Sequence, residues 1–426
     1  MGAAEFLPSP EHPVGWRGDG TGRYPGATPA IEWSETKNVV WKTPLPSWGN
    51  ASPVPVGDRV FVTSELTTLV CVEAKTGKEL WKREIDPNDA LPAGHAQKGS
   101  FKLEAQHHPG EGHATPTPVS DGKQIYVFLG CGACAAFDMD GNRKWIVAAL
   151  DPPAPYGNLS SSPALANGNL ILHTGTAIVG LDAATGKRLW ARNITGRACR
   201  ASPVVGSVGQ TTFVLTPNGD VLAPADGKVL AANLFKFNHT SPVIQGDVAY
   251  CFTGSKAKFT GRNQALRLTT TGASITTTKL WSQEWAADGW RPDDFCTSPV
   301  AYQGLICIVD HNGALLVFDA NSGEPKPKRV VCEEAPKAQG HGSYLVFSSP
   351  CVAGNYLFVT HSMGTTVVYQ GRDLKELGRN MLEPLPTTYR KGERPREPVR
   401  ASLAFAGGRI YYRGATALYC IGQERP

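Results

Sequence analysis

The sequence predicts an all-β protein, an eight-bladed β-propeller with four antiparallel strands in each blade. Two observations carry this prediction: a small residue followed by proline recurs along the chain, and each recurrence opens the same succession of short apolar strands and turns. Repeats of this kind indicate one closed array of blades rather than several separate domains. The steps are Ser52-Pro53, Thr117-Pro118, Ser162-Pro163, Ser202-Pro203, Ser241-Pro242, Ser298-Pro299, Ser349-Pro350 and a degenerate Ser402-Leu403.

The interior of each repeat follows one order of turns and strands. Successive steps are 65, 45, 40, 39, 57, 51 and 53 residues apart, as expected for a unit of about 40 residues with insertions in its loops. A turn such as Gly57-Asp58 or Asn167-Gly168 precedes an apolar strand such as Val60-Phe61-Val62. Gly, Asn and Asp accept a positive φ at low cost, so these positions predict hairpin turns.

The clearest repeats close with a glycine turn and a tryptophan-bearing strand, at residues 73–81 and 182–190. This ending resembles the tryptophan-docking motif of propellers related to pyrroloquinoline-quinone (PQQ) enzymes. The opening residues 16–22, WRGDGTG, resemble the start of bacterial PQQ-like repeat proteins. The resemblance covers nearly the whole chain and implies that one tryptophan of a blade packs on a peptide of the next blade. The docking residues that it implies are Trp41, Trp81, Trp145, Trp190 and Trp281.

The ends of the chain are expected to close the ring. The eighth repeat begins at Ser402, and too few residues follow Ile421 to supply its outermost strand. Residues 38–42 precede the first step and carry Trp41. Because an open ring would leave exposed strand edges, we expect residues 38–42 to complete the last blade, so that residues 1–426 form a single propeller domain.

Composition excludes several classes of protein. The net charge is +5, from 42 basic and 37 acidic residues, which is too small an excess for a nucleic-acid-binding protein. No stretch reaches the roughly 20 apolar residues of a transmembrane helix. The ten cysteines are scattered and mostly lie in apolar runs, where buried small side chains are the expected role. Cys131 and Cys134 form a single CxxC, so we expect no structural zinc site.

The candidate ligand site lies at the mouth of the central channel. The innermost strand of each blade lines the channel of a propeller, so the residue two positions before the first residue of each step is expected near the axis. That position carries varied, mostly polar residues, whereas a purely structural ring would repeat one type. The residues are Asn50, Thr115, Ser160, Arg200, His239, Cys296, Phe347 and Arg400.

Two arginines at this mouth suggest an anionic ligand. Arg200 and Arg400 belong to the fourth and eighth repeats, so they are expected to face each other across the axis. The guanidinium group is a fixed fork of donors that suits carboxylate or phosphate. The alternative is that both arginines pair with neighbouring carboxylates or carbonyls. The candidate ligand-binding residues at the mouth are Arg200, His239, Arg400, Asn50, Cys296 and His113.

A histidine-rich insertion is the second candidate. His95, His107, His108 and His113 lie there together with Glu104 and Glu111. Imidazole and carboxylate are good ligands for divalent metals, but the spacing matches no known metal motif. We therefore expect a mobile polar loop and no metal site, with His113 close to the inner strand of the second repeat.

The sequence carries few of the motifs that are typical of enzymes. Quinone dehydrogenases of the resembled family use two adjacent cysteines and a calcium ion, and this chain has no Cys-Cys pair. We therefore expect no PQQ cofactor. The sequence also has no GxSxG, HExxH or phosphate-binding glycine loop.

Two classes of function remain open, a binding protein and an enzyme. The favoured one is a non-catalytic binding or scaffolding propeller, similar to the lipoprotein scaffold of the outer-membrane β-barrel assembly machine, with a protein partner or an anionic ligand at the mouth and blade loops. The alternative is an enzyme acting on an anionic saccharide at the channel, with His239 or His113 as acid or base; a PQQ-dependent oxidoreductase is a third, weaker alternative.

Location and assembly follow only from the resemblance. It implies a periplasmic or extracytoplasmic monomer, although residues 1–10 carry no signal-peptide pattern and no lipid-attachment cysteine. The ten cysteines point mildly away from a strongly oxidising compartment.

Overall fold

Eight four-stranded blades form the protein in a computed structural model, which confirms the predicted all-β, eight-bladed fold. The structure describes residues 12, 14–91, 103, 112–149, 159–194, 200–235, 240–252, 262–284, 297–310, 313–331, 348–382 and 399–423. The four strands of each blade pair antiparallel, and in blades 1 to 7 they follow one another in chain order from the innermost strand outward. Within the described residues, helix is confined to one turn of 3-10 helix at Pro87–Ala90.

The blades are numbered here in chain order, each from its innermost strand. Blade 1 contains Val54–Val56, Arg59–Ser64, Thr68–Glu73 and Glu79–Glu84, and blade 2 contains Val119–Ser120, Gln124–Phe128, Ala133–Asp138 and Arg143–Ala148. Blade 3 contains Ala164–Ala166, Asn169–His173, Ala177–Asp182 and Arg188–Asn193, and blade 4 contains Val204–Val208, Thr211–Leu215, Val221–Leu222 and Val229–Ala231. Blade 5 contains Val243–Gln245, Val248–Cys251, Arg262–Thr271 and Ser274–Glu284.

Of the remaining three blades, blades 7 and 8 include strands from the beginning of the chain. From its innermost strand outward, blade 6 contains Val300–Tyr302, Leu305–Val309, Ala314–Asp319 and Pro325–Val330. Blade 7 contains Cys351–Ala353, Tyr356–Thr360, Thr366–Gln370 and Lys375–Asn380, and Arg23–Tyr24 pairs parallel to its innermost strand. Blade 8 contains Ala404–Ala406, Arg409–Arg413 and Ala417–Ile421, and Val39–Pro44 is its outermost strand.

The ring is closed where the two ends of the chain meet in blade 8. Val39–Pro44 pairs antiparallel with Ala417–Ile421, so the blade combines three strands from the end of the chain with one from its beginning. The indole Nε1 of Trp41 then donates a hydrogen bond to the carbonyl of Ala74 in blade 1, 3.1 Å away. The first and last repeats are therefore joined by a strand pairing and by a side-chain contact.

The hydrophobic core lies between the blades. In blade 1, Val60 and Val62 pack against blade 8, whereas Phe61 packs against blade 2. Successive side chains of a strand point to opposite faces, and here both faces are buried. This double burial explains why the strands read as continuous apolar runs rather than as alternating patterns. The clusters continue around the ring, one between each pair of neighbouring blades.

Five tryptophans bridge neighbouring blades through their indole N–H groups. The glycine turn that receives each indole must leave room for it: at Gly77, φ is +73° and an added Cβ would lie 2.5 Å from the Trp41 ring. Gly therefore serves there both for its left-handed conformation and for its missing side chain. The bonds run from Trp41 to Ala74, Trp81 to Met139, Trp145 to Ala183, Trp190 to Pro224 and Trp281 to Ala320, at 2.9–3.1 Å.

Blade 7 departs from this pattern. Gly378 pairs with Val368 beside a register shift, the strand position that carries tryptophan in blade 1. The segment that precedes Val39–Pro44 covers this site: the Asn380 side chain accepts the backbone N–H of Trp33 at 2.8 Å. The Trp33 ring stacks on Phe358 with centroids 6.3 Å apart. The carbonyl oxygen of Ile31 lies 3.7 Å from the Cβ position of Gly378, and Trp33 packs in the core cluster that contains Val368, the strand partner of Gly378.

A ring of hydroxyl groups, an axial cavity and an N-terminal plug

The small residues of the eight repeated steps form a closed ring of hydrogen bonds around the axis. Each donates its backbone N–H to the hydroxyl oxygen of the corresponding residue in the next blade, at N–O distances of 2.8–3.0 Å. In seven of the eight steps the proline restricts the preceding Ser or Thr to extended conformations, and the short hydroxyl side chain reaches the neighbouring blade. The members of this hydroxyl ring are Ser52, Thr117, Ser162, Ser202, Ser241, Ser298, Ser349 and Ser402.

Above the hydroxyl ring lies a small cavity, which we call the axial cavity. Its volume is about 100 Å³. Besides the ring, it is lined by Trp16, Asn50, Thr115, Ser160, Arg200 and Arg400. Five of these residues belong to the set expected at the channel mouth from their spacing before the step. Trp16 does not belong to that set and comes from the beginning of the chain.

The structure brings together some of the candidate mouth residues and not others. Asn50, Arg200 and Arg400 all line the axial cavity, and the Asn50 amide donates to the Thr115 hydroxyl at 3.3 Å. His239 and Cys296 lie outside the described residues, as does Phe347. His113 is fully buried and is not part of the cavity lining.

The floor of the axial cavity is supplied by residues 14–24, which we call the N-terminal plug. Val14 pairs with Ser120 in blade 2, and Arg23–Tyr24 pairs with blade 7, so the plug crosses the channel. Within each repeat, the residues that contact the plug come after the hydroxyl-ring residue, whereas Arg200 and Arg400 come before the hydroxyl-ring residue of their repeats. The plug therefore lies on the other side of the hydroxyl ring from the two arginines, and Trp16 is the plug residue that lines the axial cavity.

Arg17 anchors the plug. Its side chain is 1% exposed, and Nη2 donates to the carbonyls of Pro299 and Pro350 at 2.8 and 2.9 Å. Burial lowers the pKa of Arg17 from its ordinary value. An added Cβ at Gly22 would lie 2.3 Å from Nη2, so the guanidinium fills the space against a glycine backbone. The run WRGDGTG marks this segment in the sequence. It does not reveal the partners of Arg17, because these lie more than 280 residues further along the chain.

A second polar cluster lies between blades 1 and 2, beside the histidine-rich insertion. The Glu65 carboxylate accepts the backbone N–H groups of His113 and Ala114 at 3.1 and 2.6 Å. Burial raises the pKa of Glu65 to about 7, against the lowering effect of these two bonds and of Arg413. His95, His107 and His108 lie outside the described residues. Within the described residues no group of three or more His, Cys, Asp or Glu side chains could hold a metal.

The CxxC cysteines are part of the apolar core. Cys131 and Cys134 are both buried and unbridged, and burial raises the pKa of Cys131 to about 11. Both thiols remain protonated near neutral pH and pack among apolar neighbours in blade 2. Among the described residues, all seven cysteines are buried with free thiols.

Fold and cavity together define a class: a PQQ-like propeller whose channel is closed from one side by its own N-terminal segment. A family model described as outer membrane protein assembly factor BamB matches residues 30–238 and 233–373. The chain belongs to this family. In the part of the chain that the structure describes, no helix is both long and apolar enough to cross a membrane.

Individual relatives are distant. A probable quinate dehydrogenase (quinone) of Xanthomonas campestris pv. juglandis is 28% identical over 149 residues, 30% of this chain and 18% of the relative. BamB of Moranella endobia (strain PCIT) is 22% identical over 299 residues, 65% of this chain and 66% of the relative. The chain thus spans less than two thirds of the length of either relative.

Two solved structures share the fold. BamB from Moraxella catarrhalis superposes with a TM-score of 0.58 at 11% identity, over 91% of this chain and 98% of that one. Quinohemoprotein alcohol dehydrogenase from Comamonas testosteroni superposes with a TM-score of 0.58 at 12% identity, over 94% and 79%. At these identities the likeness concerns the fold alone, and function depends on the site.

The described residues of the axial cavity do not fit PQQ with calcium. Calcium takes six to eight oxygen ligands, with carboxylates prominent among them, and no described lining residue is a carboxylate. A volume of about 100 Å³ is also small for a tricyclic quinone, since pockets for ligands of that size are typically 300–1,000 Å³.

Proposed function

We propose that this chain is a non-catalytic binding propeller whose axial cavity receives an anionic group of its partner. The observation that carries the proposal is the cavity itself: Arg200 and Arg400 stand over a ring of hydroxyl groups, with Trp16 as the floor. Membership of the BamB family supports a scaffolding role, because BamB is named as an assembly factor.

The hydroxyl ring favours an anion because of how its bonds are directed. Each hydroxyl oxygen already accepts a backbone N–H from the preceding blade, as Ser52 does from Ser402. Its own hydrogen is then left to donate toward the cavity, since a hydroxyl has one donor and two acceptor positions. A cavity surrounded by hydroxyl donors and two guanidinium groups stabilises negative charge.

The volume limits what can enter. About 100 Å³ holds roughly three water molecules or one small charged group. A carboxylate at the end of a larger partner fits this space, whereas a whole sugar ring with its substituents does not. Such a carboxylate can come from an acidic side chain of a protein or from a uronic acid, and both present the same chemistry to Arg200 and Arg400.

Ser160 gives independent support for an occupant. Its hydroxyl oxygen is buried, lines the axial cavity and has no hydrogen-bond partner among the described residues. Buried polar groups are nearly always satisfied by protein, water or ligand. A bound carboxylate or a water molecule within the cavity would supply the missing bond.

The lining favours binding over catalysis. General acid–base chemistry needs a titratable group beside the reacting bond, and the described lining holds only Trp, Asn, Ser, Thr and Arg side chains. We accordingly propose that the protein works without PQQ. By analogy with the outer-membrane assembly factors that it resembles, we propose an extracytoplasmic location and a monomeric state.

Thermal shift and calorimetry with purified protein test the binding site. The probes are glucuronate, succinate, an Asp-rich peptide and inorganic phosphate, with glucose as the neutral comparison. Binding to the folded state alone raises Tm by mass action. We expect a shift with carboxylates that is lost in Arg200→Gln and in Arg400→Gln and kept in Arg192→Gln, a matched change on the exposed outer strand of blade 3.

The different probes show whether the bound carboxylate belongs to a protein or to a saccharide. Tighter binding of the peptide identifies a protein partner, and tighter binding of glucuronate identifies a saccharide. Cleavage of an oligouronide over time would instead reveal an enzyme. Absence of any shift, or shifts that persist in both arginine variants, would overturn the proposed site.

A further inference from the structure

The N-terminal plug forms one wall of a second, larger cavity, which we call the plug groove. Its volume is about 770 Å³, within the usual range of ligand pockets. Residues of the plug form one side, among them Trp16, Asp19, Thr21 and Arg23. Blades 3 and 4 form the other side. The groove lies across the hydroxyl ring from Arg200 and Arg400, so it is distinct from the proposed anion site.

We propose that the plug groove binds a neutral saccharide of one or two sugar units. Trp16 borders both cavities, because it contributes to the lining of each. Its indole therefore separates the axial cavity from the inner end of the plug groove. The Arg17 guanidinium lies over this ring, 5.3 Å from its centroid, so the part of the indole that Arg17 leaves uncovered is the apolar surface that meets the C–H face of a pyranose.

Asp19 is fixed in position by its own turn. One carboxylate oxygen, Oδ1, accepts both the backbone N–H and the hydroxyl of Thr21, at 2.9 and 2.5 Å. The other oxygen, Oδ2, has no hydrogen-bond partner among the described residues. A carboxylate held at one oxygen and open at the other is ready to accept from the hydroxyl groups of a ligand.

Arg23 complements Asp19 on the same wall. Its guanidinium makes no hydrogen bond and no ion pair within the described chain, although it lines the groove together with Asp19. The Asp19 carboxylate and the Arg23 guanidinium therefore do not form an ion pair with each other, and both can bind a ligand. A ligand that donates to Asp19 and accepts from Arg23 satisfies both, and a sugar hydroxyl does either.

The balance of charge selects a neutral ligand. Asp19 and Arg23 carry opposite charges, so the groove lining contains one carboxylate and one guanidinium, whereas the described lining of the axial cavity contains two arginines and no carboxylate. Its opposite wall adds small polar groups, namely those of Asn167, Ser207 and Thr212. An aromatic platform, one fixed carboxylate, one guanidinium and several hydroxyls suit a polyhydroxylated neutral molecule better than an anion or an apolar one.

Saturation-transfer NMR and calorimetry on the full chain test this proposal. The probes are glucose, galactose, mannose, N-acetylglucosamine, maltose and cellobiose, with succinate as the charged comparison. We expect at least one sugar to bind, with its Kd raised about tenfold by Asp19→Asn or by Arg23→Gln, as for loss of one charge-assisted hydrogen bond. Both residues are exposed, so neither change threatens the fold.

Two control variants keep the result specific. Asp226→Asn alters an exposed carboxylate in blade 4 whose Oδ1 likewise accepts a backbone N–H, and it should leave sugar binding unchanged. Arg400→Gln should abolish anion binding and preserve sugar binding, so the two sites fail separately. The proposal is overturned if no sugar binds with a Kd below about 50 mM, or if Asp19→Asn and Arg23→Gln bind it as the wild type does.

Discussion

The backbone N–H of Ser402 lies 3.0 Å from the hydroxyl oxygen of Ser52, and this bond joins the last repeat to the first. It is one of eight equivalent bonds that run in a single direction around the axis. The repeated step that defines the blades in the sequence is therefore also the contact that holds their inner strands together. Removing one acceptor leaves a buried N–H without a partner.

Ser52→Ala should lower the free energy of unfolding by about 1–3 kcal/mol, the usual cost of an unsatisfied buried donor. Ser52→Thr should cost less, because Thr117 performs the same role in blade 2. Equilibrium urea unfolding of the three proteins measures the difference. Equal stability of Ser52→Ala and wild type would show that the ring bond contributes nothing.

Trp190 and Leu189 are neighbours on the outer strand of blade 3 with opposite roles. Trp190 donates to the Pro224 carbonyl at 3.0 Å, whereas Leu189 is 45% exposed. Trp190→Ala should destabilise the fold by about 2–4 kcal/mol, and Leu189→Ala by less than about 0.5 kcal/mol. Thermal and urea unfolding of both variants test this. Similar losses in the two would contradict a docking role for the indole.

Arg17→Met should release the N-terminal plug. The change removes the bonds to the Pro299 and Pro350 carbonyls, each worth about 1.5–3 kcal/mol when the donor is charged. We expect faster tryptic cleavage after Arg23 under native conditions, followed by mass spectrometry. Arg188→Met, on an exposed position of blade 3, is the control. An unchanged cleavage rate would mean that other contacts hold the plug.

Glu65 should make the fold less stable as pH rises from about 4.5 to 7. Its pKa in the folded protein is about 7, above the ordinary value, so the folded state holds the proton more tightly and loses that advantage when the group ionises. The full effect is about 3 kcal/mol. Glu65→Gln should remove this slope, and Glu79→Gln, at an exposed position, should not. The free energies of unfolding of the wild type and both variants, measured at pH 5 and pH 8, test this prediction.

His173 should have the opposite effect from Glu65: it should make the fold less stable as pH falls. Burial lowers its pKa to about 4, and neither ring nitrogen has a hydrogen-bond partner among the described residues. Stability is lost as pH falls from about 6.5 toward 4, because the unfolded chain takes up the proton first; at pH 5 the loss is about 2 kcal/mol. His173→Leu should remove this acid-dependent loss, and exposed His12→Gln should leave it. Acid titration followed by circular dichroism compares them.

The fold was predictable because its signals are local and repeated. A step such as Ser162-Pro163 and an ending such as residues 182–190 each occupy a few consecutive residues and recur in register. The same logic located Asn50, Arg200 and Arg400, which the structure places in one cavity. That these residues bind a ligand stays a prediction, as do the roles of His239 and Cys296, which lie outside the described residues.

Features outside the repeat were not predictable in the same way. Trp16 and Arg17 act through contacts with residues near the other end of the chain, and nothing in their local sequence specifies those partners. Trp33 packs in the cluster of Phe358 and Val368 in a blade whose own outer strand has Gly378 opposite Val368, a relation visible only when the blades are aligned in space. The cluster of Glu65 and His113 likewise depends on neighbouring blades, not on spacing.

The pairing of Val39–Pro44 with Ala417–Ile421 has a consequence for synthesis at the ribosome. The partner of Val39–Pro44 is made more than 370 residues later, so the nascent chain carries an unpaired strand until Ala417–Ile421 has been synthesised. Unpaired strand edges in partly folded chains are sites of aggregation. The ring therefore gains its full cooperativity only after Ala417–Ile421 has been made, and until then the chain depends on protection from aggregation.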